Sequence, residues 1–362
     1  MRFPGRLIVV LLWAGLAFSA CRSSPSHTPD ETGKLESILG AEEESTASGD
    51  EQTSPQELAL PEPPPDLPVS EFREIWGYVL SGQESSLGLN YPLSDVGYFS
   101  AEINSYGQLV NVPNVKRLAR FQGRLHLVAV CESGALTHFV LAPGEVRQQL
   151  IADLLSAARN FAGLQIDFEL VPARDGELFR SFLGELRAGL GNKLFTVALP
   201  ARVKTLNNDV YDYAKIAPLA DRVFVMAYDE HWATSKPGSI ASLDWCRQVA
   251  AYSLKTIGAD KLVMGLPFYG RTWGSVNTFR AFFFSGIERI KKEHDITDVR
   301  RENGIPTFSY EVPVTVTVYY EDEYSLSRRL ELYRNMGVIS VGFWRIGQET
   351  PVIWQLLKIS KE

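Results

Sequence analysis

The hydrophobic and polar positions along the chain divide it near residue 70. From residue 71 onward, short apolar runs with strand character recur at Ile75–Val79, Val96–Phe99, Leu125–Cys131, Gly163–Asp167, Leu194–Leu199, Arg222–Ala227, Lys261–Leu266 and Val338–Phe343. Between several of them, apolar residues fall at helical spacing. Such stretches are Val112 to Phe121, then Val146, Leu150, Leu154 and Ala158, then Leu178, Phe179, Phe182 and Leu186, then Leu243, Cys246, Ala250 and Leu254, and last Leu326, Leu330 and Tyr333. The helix expected after the first strand is poorly marked. Near-continuous apolar strands alternating with amphipathic helices imply a parallel sheet covered by helices. Eight such units in about 290 residues imply closure, an α/β fold of the (β/α)8 TIM-barrel type. The long gap before the last strand holds an aromatic run, Phe279 to Phe284, a helical stretch, Ile287 to Glu293, and the alternating segment Val312 to Tyr319. It predicts a small α+β insertion between strands seven and eight, at about residues 272–320, on the rim where barrel loops build active sites.

Upstream of residue 71 the pattern fails. Arg22 to Ser70 contains eleven Asp or Glu, two basic residues, eight prolines and no aromatic residue, a composition that cannot bury enough apolar surface to offset chain entropy. Residues 21–70 are therefore expected to form a disordered, self-repelling tether, stiffened by prolines at its end; an acidic binding tail is the other reading. In residues 1–20, Arg2 and Arg6 precede the apolar run Leu7 to Phe18, the pattern of a secretory signal too short to stay as a membrane span. The segment Phe18-Ser19-Ala20-Cys21 resembles a bacterial lipobox. That implies lipidation of Cys21 and an exported protein held to a bacterial membrane, at its periplasmic face or the cell surface; plain secretion is the alternative. Cys131 and Cys246 then remain, read as buried free thiols.

Composition narrows the function. With 362 residues, 45% of them hydrophobic, the chain can bury one large core. Its formal net charge is −7, and loss of residues 1–20 would make it more negative still. That balance argues against a nucleic-acid partner. The five histidines show no metal-ligand spacing, no cofactor is expected, and a monomer is.

The candidate chemistry lies at strand ends. In Gly163-Leu164-Gln165-Ile166-Asp167-Phe168-Glu169, strand alternation sends Gln165, Asp167 and Glu169 to one face. In a barrel that face is the interior, with Glu169 at the C-terminal mouth. Desolvation and the neighbouring Asp167 charge are both expected to raise the Glu169 pKa, as a general acid needs. Three further clusters end strands six, seven and eight: Met226 to Trp232, including Tyr228 and Asp229; Gly265 to Arg271, including Tyr269; and Gly342-Phe343-Trp344-Arg345.

Residues 163–169 resemble the Asp-Gly-x-Asp-x-Asp-x-Glu signature of family 18 glycoside hydrolases. The segments Met226-x-Tyr228-Asp229, Gly265-x-Pro267-x-Tyr269-Gly270-Arg271 and Trp344 resemble that family's other landmarks, in order. Tyr320-Glu321-Asp322 and Trp344-Arg345-Ile346-Gly347-Gln348-Glu349 are similar to its bacterial spore-cortex and cell-wall lytic branch. The resemblance spans residues 71–362 and implies hydrolysis of N-acetylglucosamine-containing glycans. In it Glu169 protonates the leaving oxygen, Asp167 orients the 2-acetamido group, Tyr228 holds its carbonyl and Trp344 floors the subsite. The resemblance also implies substrate contacts at Gln165, Asp229, Tyr269 and Arg271. Family 18 uses the substrate's acetamido oxygen as nucleophile, an exception to the two-carboxylate scheme. Two signature positions differ here, Ala162 and Gln165 standing where the family has Asp. Gln165 can donate a hydrogen bond to Asp167 but cannot take up its charge. A catalytically silent carbohydrate-binding barrel is the competing reading.

Overall fold

A computed structural model describes residues 54–275, 280–312 and 314–361. Seven strands appear first: β1 (Glu74–Leu80), β2 (Asp95–Ile103), β3 (Arg124–Cys131), β4 (Gly163–Phe168), β5 (Leu194–Pro200), β6 (Arg222–Met226) and β7 (Leu262–Pro267). After an insertion comes the last barrel strand, β13 (Ser340–Trp344). Each is parallel to its neighbours, β13 pairs with both β7 and β1, and β1 pairs with β2, so the sheet closes. The barrel is covered by α1 (Gly134–Leu141), α2 (Glu145–Ala157), α3 (Gly176–Gly189), α4 (Leu243–Thr256) and α6 (Glu323–Asn335). In α3 the apolar positions 179, 182, 183 and 186 form one face, and Phe179, Phe182, Leu183 and Leu186 are all fully buried, each contributing roughly 1.5–3 kcal/mol of transfer free energy. Side-chain oxygens of Ser242 and Asp322 accept from backbone N–H groups at the starts of α4 and α6, satisfying donors a helix leaves orphaned.

Between β7 and β13 the chain builds an antiparallel sheet of β8 (Gly270–Gly274), β9 (Arg280–Phe282), β10 (Arg300–Glu302), β11 (Ile305–Val312) and β12 (Val314–Tyr319), with helix α5 (Phe284–Glu293). The strand order is β9-β8-β12-β11-β10. Ile287, Ile290, Phe308, Val316, Val318 and Tyr320 form its own small core. The expected insertion is thus present but larger in strand content: β8, β9, β10 and β11 were not anticipated as strands, and Val312 belongs to β11 and not to the following strand. Phe279 lies outside the described residues.

Two helical expectations change. Val112 to Phe121 gives one short 3-10 turn, Val115–Leu118; Leu118 is fully buried, Val115 and Phe121 are only partly buried and Val112 is exposed, so the apolar contact is too short to dock a longer helix. After β1 a single 3-10 turn, Glu84–Ser86, stands where a helix would. The domain boundary also moves upstream of residue 71. Gln56 bridges to Gly88, the Leu58 N–H donates to Asn90 Oδ1 at 3.1 Å, and Gln355 Nε2 donates to the carbonyls of Leu60 and Pro61 at 3.2 and 2.8 Å. Residues 70–72 pair in parallel with Leu357–Ile359. The tether reading therefore does not hold for 54–70, where Leu58, Leu60 and Leu67 pack on the core and supply the apolar anchors that the bulk composition concealed.

The barrel interior is filled in layers. Near its middle Trp76, Tyr78, Val128, Ala198, Phe224 and Val263 pack together. The Phe224 ring fits because β7 and β13 carry glycine beside it: a Cβ on Gly342 would come within 2.5 Å of Phe224 and one on Gly265 within 2.7 Å of the Val225 carbonyl. These two motif glycines serve packing beneath the site.

Candidate active site

Strand β4 delivers two carboxyls to the C-terminal mouth. Gln165 and Asp167 are buried at 1% and 6% exposure inside the barrel, and Glu169 follows one residue beyond the strand. The backbone around Glu169 is pinned on both sides. Its own N–H donates to the Cys131 carbonyl at 3.1 Å, while the buried Tyr211 hydroxyl donates to the Phe168 carbonyl at 2.7 Å and accepts from the Val171 N–H at 2.9 Å. Sequence reasoning missed Tyr211, which lies in a turn after β5.

Asp167 and Glu169 open into a cleft of about 220 Å³, lined further by Phe99, Glu132, Met226, Tyr228, Asp229, Tyr269, Arg271, Trp344 and Gln348. The indole of Trp344 stands edge-on to Phe99, with centroids 4.9 Å apart, and against Tyr78 at 5.4 Å, which fixes it as one wall. Across the mouth, Asp229 sits in the left-handed region at φ 59°, a conformation Asp tolerates better than most residues. Its Oδ1 accepts from the Tyr269 hydroxyl at 2.6 Å and from Arg271 Nε and Nη2 at 2.9 and 2.7 Å. All three donors converge on one oxygen. The Tyr228 ring packs edge-on against Tyr269, and its hydroxyl makes no hydrogen bond to a described residue. Seven of the eight candidate residues at strand ends thus share one cleft. Gln165 lies beneath it and does not line it.

The electrostatics follow from this enclosure. Burial, reinforced by Glu169 and Glu132, holds the Asp167 carboxyl well above the usual carboxylate range. By accessible surface Glu169 is exposed, but a carboxylate low in a cleft loses much of its hydration shell while water still touches it. That desolvation, with the charges of Glu132 and Asp229, pushes Glu169 up to about 7. Beyond the adjacent Asp167 carboxyl, two further charges that the sequence did not point to, Glu132 and Asp229, therefore act on Glu169. Burial and the neighbouring Tyr269, Tyr78, Asp167 and Glu169 groups likewise push the Tyr228 phenol well above its ordinary value, so it enters the cleft as a hydrogen-bond donor.

A second correction concerns Gln165. By hydrogen-bond geometry neither amide atom has a partner in the protein, nor does Asp167 Oδ1 or Thr196 Oγ1; the amide lies beside the Tyr78 hydroxyl, and the expected Gln165–Asp167 bond is not formed. Glu132 and Gln348 also line the mouth, although neither was expected there as a site residue. Glu132 was legible, because alternation from His126 through Val128 and Val130 carries on to it. Cys131 and Cys246 are buried free thiols, and Cys21 lies outside the described residues. Among the described residues no cluster of three or more His, Cys, Asp or Glu side chains is placed to hold a metal ion.

The family model "Glycosyl hydrolases family 18" matches residues 101–349. An uncharacterized glycosylase, YvbX of Bacillus subtilis, is 30% identical over 62% of this chain and 69% of its own length. The cortical fragment-lytic enzyme of Bacillus anthracis is 25% identical over 74% of this chain and 68% of its own. Among solved structures, the Bacillus cereus spore cortex-lytic enzyme SleL superposes with a TM-score of 0.72 at 22% identity, covering 81% of this chain and 76% of that one. A chitinase from Chromobacterium violaceum gives 0.68 at 20% identity, covering 78% and 97%. At those identities the two structures attest the shared barrel.

Proposed function

Because the chain belongs to glycosyl hydrolase family 18, we propose that its cleft cleaves β-linked N-acetylglucosamine-containing glycans, of peptidoglycan or chitin type, with retention of configuration. The observation that carries this reading is a carboxyl, Glu169, held at about 7 in a cleft it shares with Asp167, Tyr228 and Trp344. Burial holds the Asp167 carboxyl well above its usual range, and Asp229 Oδ1 is engaged by Arg271 and Tyr269. A protonated Glu169 delivers its proton to the glycosidic oxygen as that bond breaks. The substrate's 2-acetamido oxygen attacks the anomeric carbon from the opposite face, guided by the Tyr228 hydroxyl and Asp167, and forms a cyclic oxazolinium. Water then opens the ring at the anomeric carbon, giving its proton to the Glu169 carboxylate, and two inversions restore the configuration. Trp344 supplies the apolar surface on which the reacting sugar stacks. Relatives named for cortical fragments and for chitin support the substrate class.

The test is to incubate the protein with N-acetylglucosamine oligomers and with peptidoglycan and follow products by NMR. New reducing ends appearing first as the β-anomer, and competitive inhibition by a thiazoline mimic of the cyclised intermediate, are expected. First-formed α-anomer, or cleavage of a substrate carrying a free 2-amino group at the reacting sugar, refutes substrate assistance. We also propose that Cys21 carries a lipid that anchors the enzyme to a bacterial membrane, and Cys21→Ala is then expected to release it into the soluble fraction; a variant that stays with membranes refutes the anchor.

A further inference from the structure

The cleft contains a carboxylate that this mechanism does not use. Along β3 the side chains His126, Val128 and Val130 are buried, every second residue pointing inward, and Glu132 continues the series just past the strand. Register places it beside the proton donor: Val130 pairs with Asp167 and Cys131 with Phe168, and the Glu169 N–H bonds the Cys131 carbonyl. Glu132 and Glu169 are thus the corresponding residues on adjacent parallel strand ends, and both line the same cleft. Among the described residues Glu132 has no ion pair and no hydrogen bond.

We propose that Glu132 is a positioning residue for the reaction, an unpaired carboxylate that acts through Glu169 by keeping the proton on it and so sets the alkaline limit of activity. The inference rests on the glycosidase reading of Glu169. Other groups facing Glu169 do not do this work equally. Asp167, from the same strand, is buried and held well above the usual carboxylate range by that burial, which favours its neutral form. Asp229, past β6, has the Arg271 guanidinium of β8 within 2.7 Å, which offsets much of its field. Tyr211 and Tyr228 are phenols held in their neutral form by burial. Glu132 acts with no adjacent cation, and it comes before Asp229 among the charges that raise Glu169. Like charges on adjacent strand ends in a cleft of reduced dielectric disfavour joint ionisation.

The experiment compares the parent with Glu132→Gln in two measurements on the full chain: the pH profile of kcat/KM on an N-acetylglucosamine oligomer, and the titration of Glu169 by carboxyl carbon NMR. The alkaline midpoint and the Glu169 titration are expected to move down together, by about half a unit to one unit, and Glu132→Asp to restore most of the shift. High salt should lower the midpoint of the parent more than that of Glu132→Gln, because the variant keeps the Asp229 interaction but lacks the screened one with Glu132. A midpoint that stays fixed, or a fall in rate at every pH with the Glu169 titration unmoved, overturns the proposal and leaves Glu132 a structural residue. If the parent cleaves nothing, the glycosidase reading fails while the NMR titration still decides for or against Glu132.

Discussion

The two ends of the barrel interior hold the same kinds of residue and treat them in opposite ways. At the N-terminal end Glu74 meets Arg124 at 2.9 Å and Arg222 at 2.6 Å, and Asp95 meets Arg124 at 2.8 Å and His126 at 2.7 Å. Burial alone would raise the Glu74 carboxyl, but the hydrogen bonds and charges of Arg222 and Arg124 together outweigh it and hold Glu74 down at about 2. At the C-terminal mouth Asp167 and Glu169 are given no guanidinium, and the same desolvation then wins and lifts both. Burial acts identically on both sets; the supply of cations decides the sign. An acid that closes a barrel is compensated, and an acid that must give up a proton near neutrality is left uncompensated, at a cost in stability.

Breaking the compensated end should have the largest effect. Glu74→Gln keeps the shape but leaves Arg222, with its side chain 18% exposed, without a carboxylate, and is expected to cost about 3 kcal/mol or more of unfolding free energy. Denaturant melts measure it, and a loss below about 0.5 kcal/mol would show the network to be ornamental. At the mouth, Glu169→Gln is expected to lower turnover at least about 100-fold while sparing oligomer binding and without lowering the stability of the fold, since it removes a proton and not a volume. A variant as active as the parent would remove Glu169 from the reaction.

Smaller, and of opposite sign at the two ends, is the dependence of stability on pH. Glu74 lies below its ordinary 4.5, so its contribution is fully present above that value and is lost as pH falls toward 2. Glu169 lies above it, at about 7, so the folded state binds the extra proton and stability falls as pH rises from 4.5 through 7. Subtracting the melting curve of Glu169→Gln from that of the parent across this range should isolate a difference that grows with pH, in favour of the variant. A difference flat across the range would mean that Glu169 ionises as freely as in the unfolded chain.

The layout of the barrel was legible because each strand is a continuous apolar run and each covering helix shows its own apolar stripe, as Phe179, Phe182 and Leu186 do. The insertion was harder to read: β10, Arg300–Glu302, is exposed throughout and is held by pairing to β11, a contact no local pattern announces. Residues 54–70 misled for the converse reason, since proline and acid dominate their composition while a few leucines do the docking. At the site, alternation placed Asp167 and Glu169 correctly inside the mouth. It could not show that the charges raising Glu169 come from Glu132, on the next strand, and from Asp229, distant in sequence.

Gln165 offers the finest test of the comparison. At the N-terminal end each interior acid has a partner, whereas this amide, 1% exposed, forms no well-aligned hydrogen bond on either atom and has only the Tyr78 hydroxyl beside it. A buried amide without such a bond stabilises little, and replacing it by an apolar side chain of similar volume loses no well-aligned protein hydrogen bond. Gln165→Leu is therefore expected to leave the unfolding free energy within about 1 kcal/mol of the parent and to cost turnover less than about tenfold. Gln165→Asp is different: a second carboxyl beneath Asp167, again with no cation near, must stay protonated or share one proton with it, and the pH profile of the variant should change where that of Gln165→Leu does not. A large loss of activity in Gln165→Leu would show that the amide, and not burial alone, keeps Asp167 in its working form.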